Sequence, residues 1–237
     1  MTIGTTARFL LCMTLGSALA GCASRTSPSV SQNVAADKQL ARSANLVLSD
    51  LPAGWTSKPH SSSSGNAALD AQLSSCLHTN LDLFKGDDRA EVHSPEFDDT
   101  NGDSVSSDVD YLADTTQADV RMKVLQQSNF SSCLAAAAQS LVTNGAQTGS
   151  TLPAGTSLGA VTVAPMSFPA LGDQSAAFRV TIPITYRGIV ISAYFDLVGV
   201  QKGRVLVGMD FDGVNAPLGS PLEEQLTQTV VKRLRNT

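Results

Sequence analysis

Three stretches of strict alternation near the C-terminal end limit the fold more than any other feature of the chain. Phe178, Val180, Ile182, Ile184 and Tyr186 alternate with Arg179, Thr181, Pro183 and Thr185. After Arg187-Gly188, a second apolar row runs through Ile189, Ile191, Ala193, Phe195 and Leu197. After Lys202-Gly203, a third runs through Val205, Val207, Met209 and Phe211. A period of two sends alternate side chains to opposite faces of a strand, and turns this short join antiparallel neighbours. The predicted unit is a three-stranded antiparallel meander with one buried face. Pro183 removes one ladder donor, which fits an edge or a bulge.

Helical signals flank this meander. Residues 67–84 carry Leu69, Leu73, Cys76, Leu77 and Phe84 at helical spacing and end at Gly86, which predicts an amphipathic helix with Cys76 on its buried side. Residues 90–97 and 104–112 are predicted strands, joined across Asp98–Asp103 by the hairpin signal Asn101-Gly102. A second helical segment covers 115–141, broken near Asn129-Phe130-Ser131 and recapped at Ser131 or Ser132. Residues 144–157 have loop composition. Ser220-Pro221-Leu222-Glu223 opens a last helix as a capping box, with Leu222, Leu226, Val230 and Leu234 on one face and Lys232, Arg233 and Arg235 at its negative end. The predicted class is α+β: an antiparallel sheet ending in the meander, with helices packed on one face.

The first residues give an address. Arg8 precedes an apolar stretch from Phe9 to Leu19, which ends in Leu19-Ala20-Gly21-Cys22. That pattern is a bacterial lipobox: small residues let a signal peptidase reach the peptide bond, and the Cys22 thiol takes up a diacylglycerol. Residues 1–21 are therefore expected to be a lipoprotein signal peptide and Cys22 the lipidated first residue of the mature protein. Residues 22–43 are rich in Ser, Thr, Ala and Gln without a periodic apolar face, and are expected to form a flexible tether to the membrane. Residues 44–237 then form a single domain. No apolar run reaches the roughly 18–20 residues of a spanning helix. A net charge of −5 over 237 residues argues against a nucleic-acid partner.

Four cysteines agree with export. Cys12 leaves with the signal and Cys22 carries lipid, so Cys76 and Cys133 remain as one pair, one on each helical segment. An oxidising compartment predicts a disulfide between them; two buried free thiols are the alternative. Two cysteines without a paired histidine leave a zinc set incomplete.

Candidate chemistry is sparse. Gly155-Thr156-Ser157-Leu158-Gly159 matches a hydrolase elbow, yet a polar loop precedes it, a strand-like run follows, and His60, His78 and His93 all lie upstream. The acids Asp98, Asp99, Asp103, Asp108 and Asp110 lack the Gly and the closing Glu of a calcium loop, so a solvated hairpin tip is the expectation. No phosphate loop or dinucleotide fingerprint occurs, and neither an enzymatic activity nor a cofactor is expected. Trp55, the one Trp, follows the turn Leu51-Pro52-Ala53-Gly54; it reads as a core plug or as a ligand-facing ring. Opposite the apolar row of the second meander strand lie Val190, Ser192, Tyr194, Asp196 and Val198, more apolar than a solvated face calls for. Trp55, Val190, Tyr194 and Asp196 are therefore the candidate ligand-binding residues, against the alternative that a loop or helix covers the row.

The lipobox, Leu51-Pro52-x-Gly54-Trp55 and one cysteine in each of two helices together resemble actinobacterial cell-envelope lipoproteins. They are similar to the PknH-like extracellular sensor domain, over roughly residues 44–236. Ser106-Ser107-Asp108-Val109 and Leu171-Gly172-Asp173-Gln174 add to the likeness. The resemblance implies an antiparallel sheet with helices flanking a cleft that binds an unidentified ligand. The kinase sensor domain has two disulfides, whereas this chain can form only Cys76–Cys133. PsbP-like lipoproteins share a similar layout. The expected function is a non-enzymatic, membrane-anchored envelope lipoprotein that binds or senses a small molecule or an envelope protein. A lipid or glycolipid carrier is the alternative, and requires an apolar cavity well above the roughly 300–1,000 Å³ of small-ligand sites.

Overall fold

A computed structural model describes residues 30–60, 66–80, 90–148 and 155–234. The signal segment, Cys22, Phe84, Gly86 and Arg235 lie outside them. Along the chain run α1 (Val30–Ala44), β1 (Thr56–Lys58), α2 (Asn66–Leu77), β2 (Ala90–His93), β3 (Glu96–Asp98) and β4 (Ser104–Tyr111). Then follow α3 (Thr115–Leu125), α4 (Phe130–Thr148), β5 (Thr156–Leu158), β6 (Thr162–Pro165), β7 (Gln174–Tyr186), β8 (Ile189–Lys202), β9 (Val205–Val214) and α5 (Ser220–Arg233). The class is α+β. All described strands join one antiparallel sheet in the order β1-β3-β4-β9-β8-β7-β5, with β2 also on β4 and β6 also on β7.

The meander forms as expected, with β7 and β8 paired without interruption from Gln174↔Gln201 to Tyr186↔Ile189. Pro183 sits opposite Ser192 just where β6 has ended and β5 takes over, between Ile184↔Leu158 and Thr181↔Thr162. Its missing donor therefore falls at a gap in the outer ladder. The expectation of a single strand over 90–97 is corrected to β2 and β3. Pro95 interrupts the ladder there, and the Ser94 hydroxyl accepts the Ser107 amide at 2.9 Å.

The placement of helices on one face is also corrected. Val207, Met209 and Phe211 stand opposite Val200, Val198 and Asp196, and opposite Val109, Ser107 and Val105 on β4. This face packs on α1 and α5 through Ala41, Ala44, Leu226, Val230 and Leu234. Phe178, Val180, Ile182, Phe195 and Leu197 point to the other face. They pack with Leu73 and Leu77 of α2, Val124 and Leu125 of α3, and Phe130, Cys133 and Leu134 of α4. A 14-residue strand such as β8 is long enough for one helix layer to cover one half of one face and another layer the other half of the opposite face.

The flexible tether expected over 22–43 is corrected from Val30 onward, where the chain is helical; residues 22–29 lie outside the described residues. Ala41 and Ala44 are buried against the sheet, and Asp37 takes a bidentate pair of bonds from Arg204 at 2.7 and 2.8 Å. The apolar stripe of Val34, Ala41 and Ala44 is too thin to announce a helix alone and stable only when docked. The α4 helix likewise continues to residue 148, into the expected loop. The N-cap of α5 is Gly219, not Ser220, and Glu223 reaches back to accept its amide at 3.1 Å.

Cys76 and Cys133 form the predicted disulfide, with their Cα atoms 5.6 Å apart, and it ties α2 to α4. Closing a loop of 57 residues predicts a loss of about 4 kcal/mol on reduction, read from urea unfolding with and without reductant. Deleting residues 30–44 is expected to lower the melting temperature sharply, measured by circular dichroism; a tether would be dispensable.

Candidate ligand cleft

Glycines in the middle of strands open a cleft on the face that α2, α3 and α4 cover. Gly199 of β8 and Gly208 of β9 pair directly, so the sheet has no side chain at two adjacent positions. A Cβ on Gly208 would meet the Asp108 carboxylate at 2.3 Å, and one on Gly199 would meet Leu125 Cδ1 at 3.0 Å. The space they leave is about 530 Å³. Leu73, Leu77, Met122, Leu125, Phe130 and Leu206 supply apolar lining, and Asp70, Glu91, Asp108 and Asp110 line it together with His93 and Arg121. Arg121 donates to Asp110 at 2.5 Å, both side chains buried. His93 stacks on His60 with ring centroids 4.4 Å apart. The cleft thus joins apolar side chains, mostly from the helices, to polar ones that come from β2 and β4 and from Asp70 and Arg121 of the helices, the arrangement that orients small amphipathic molecules.

The same face carries Asp210, beside Gly208 and opposite Leu197. It keeps contact with water yet lies low among its neighbours; burial first, then the like charges of Asp108 and Asp212, push its carboxyl up to about 7.

The sequence-derived candidates do not converge. Val190 is 66% exposed, Tyr194 is half-buried and Asp196 is only 1% exposed. Asp196 takes both Nε (2.7 Å) and Nη2 (2.5 Å) of Arg179, which removes it from direct ligand contact. Trp55 is half-buried against the core shared by α1 and α5, next to β1. In sheet order β1 and β8 are four strands apart, roughly 19 Å at the usual strand spacing. The covering alternative holds for the Asp196 end of the row: Glu223 of α5 lies there, fully buried. Ser157 is exposed on β5, a strand rather than a strained elbow. Asp99 spends its carboxylate on the amides of Asn101 and Asp103 at 2.7 and 3.0 Å, an ordinary tight-turn device. Among the described residues no group of three His, Cys, Asp or Glu is placed to hold a metal ion.

The sequence did not single out the cleft as a site: of its lining, His93 was set aside, and the solvated hairpin tip expected for Asp108 and Asp110 is corrected, since both lie in β4 and Asp110 is buried against Arg121. Gly199 and Gly208, each interrupting an apolar strand, are the signal that points to the cleft.

The extracellular domain of PknH from Mycobacterium tuberculosis is similar in structure, with a TM-score of 0.43 and 11% identity over 83% of this chain and 95% of that one. A likeness of that size carries no argument about activity. No family model matches the chain, and no curated protein does.

Two outcomes follow from the cleft geometry. Gly208→Ala is expected to cost about 1–3 kcal/mol, because Asp108 must move, measured by denaturant unfolding. Asp210 has its folded value raised above the unfolded one, so its contribution to stability is whole below about 3.8 and is lost as pH rises through about 7. Asp210→Asn is therefore expected to flatten the fall of melting temperature between pH 5 and 8; an unchanged slope would sink this assignment.

Proposed function

We propose that this protein is a non-enzymatic lipoprotein of the cell envelope that binds a small amphipathic molecule in the cleft between the sheet and α2, α3 and α4. The single observation that carries the reading is the glycine-floored cleft of about 530 Å³, a volume within the range of small-ligand sites. That volume favours small-molecule binding over lipid or glycolipid carriage. The extracytoplasmic address is supported by Leu19-Ala20-Gly21-Cys22 and by the disulfide, which persists in oxidising compartments. Among the described residues no helix is long and apolar enough to cross a membrane, so the proposed attachment is the lipid on Cys22.

A second surface is favoured by Ile189 and Val190, exposed by 67% and 66% at the tip of the β7–β8 hairpin. Such exposed aliphatic side chains suit docking of an envelope protein, with Tyr194 farther along the same strand.

Native mass spectrometry on protein isolated from its own envelope tests the cleft. The expected result is a bound species of a few hundred daltons in the wild type, absent in Leu206→Trp, which fills the cleft from the sheet side. Equal occupancy in the two proteins, with equal melting temperatures, would place the ligand elsewhere. Labelling with a fatty-acid probe tests the anchor: Cys22→Ser must lose the label.

A further inference from the structure

The face covered by α5 contains a buried acid pair that the cleft does not use. Asp196 of β8 is 1% exposed and Glu223 of α5 is 0% exposed, and their carboxyl groups are within hydrogen-bonding reach of each other. One guanidinium, Arg179 of β7, serves the pair, and it is spent on Asp196 through two short bonds. Glu223 Oε1 accepts the Gly219 amide, while its buried Oε2 has no hydrogen-bond partner. Two carboxylates cannot bond each other, because both only accept; one proton between them supplies the missing donor and cancels the second negative charge. Fully ionised, the site would hold two buried negative charges against one positive.

The groups that face Glu223 are few. Arg179 comes from β7, and Asp196 with Tyr194 beyond it from β8. On this face β9 presents Val207, Met209 and Phe211, and in α1 the acid Asp37 is engaged by Arg204. None of these replaces the proton. Burial, then the neighbouring Asp196, push Glu223 up to about 7.

We propose that a proton held by Glu223 and donated to Asp196 latches the first turn of α5 onto β8, and that its loss as the surroundings pass from mildly acidic to neutral releases that turn. The rest of α5 is held independently. Leu226, Val230 and Leu234 are buried, and Arg233 binds the Asp50 carboxylate and the Asn45 carbonyl at the far end. Release is thus confined to residues near 219–224, where the Leu222 and Glu223 amides bond the Gly219 carbonyl. Opening there uncovers the Arg179–Asp196 pair beside Tyr194, on the face opposite the cleft. The device is a pH-sensitive gate and stands or falls independently of the cleft.

Hydrogen exchange of the full chain, corrected for the intrinsic pH dependence of exchange, tests it. Protection of the Leu222 and Glu223 amides is expected to fall by up to roughly tenfold per pH unit between about pH 5 and 7 and to level off above that, while that of Val230 and Val231 stays level. Glu223→Gln keeps an uncharged donor in place, so its protection in the same turn is expected to be independent of pH from about 5 to 8. Asp210 titrates in the same window from the other face, so the comparison is repeated in Asp210→Asn, where the local effect must persist. If the first turn of wild-type α5 shows no fall relative to Val230, or if Glu223→Gln shows the same fall, the latch does not exist.

Discussion

Everything in this molecule is referred to the uninterrupted pairing of β7 with β8. Because the register runs from Gln174↔Gln201 to Tyr186↔Ile189 without a slip, the alternation of side chains is rigid over the whole length of both strands. Phe178, Val180, Phe195 and Leu197 go to one core, and Ala177, Val198 and Val200 to the other. A shift of one residue would exchange the two sets and expose both cores. The two helix layers can settle on opposite faces only because this ladder holds both patterns at once.

Each layer is then secured by its own means. On one side, α1 and α5 rely on buried aliphatics and on long-range ion pairs, Asp37 with Arg204 and Asp50 with Arg233. On the other side, α2 packs chiefly on α4 and is bound to it by the disulfide, with the cleft between these helices and the sheet. The contrast is physical. A short helix with little contact to the sheet loses much of its ordering cost when a covalent link restricts the unfolded chain. It can therefore roof a space that is not filled with side chains, which a helix held by packing alone cannot do.

The polar groups divide in the same way. Of the acids on the cleft face, Asp108 and Asp210 keep contact with water and the buried Asp110 has Arg121, whereas Asp196 and Glu223 are sealed together under α5. A carboxylate at the surface is solvated and needs no fixed partner. One in the interior must find a cation or a proton. Arg179 meets the need of one acid and leaves the other, so the proton becomes part of the structure.

Much of this was legible in the sequence, because it depends on local periodicity and chemistry. The three strands of the meander follow from alternation at Phe178–Tyr186, Ile189–Leu197 and Val205–Phe211. The helix at 220–233 follows from Pro221 and the Leu222, Leu226, Val230 spacing, and the Cys76–Cys133 bond from the two cysteines left once Cys12 and Cys22 are assigned to the expected signal and lipid. What local pattern could not decide was which elements meet. The stripe on α1 is too weak to read without the β2–β4 surface that buries it, and the acid of a capping box carries no sign of the Asp196 it will face. Two glycines one strand apart become a cleft floor only when β8 and β9 align Gly199 with Gly208. Those decisions belong to tertiary structure, because burial, shared protons and empty space are properties of pairs of segments and not of any one of them.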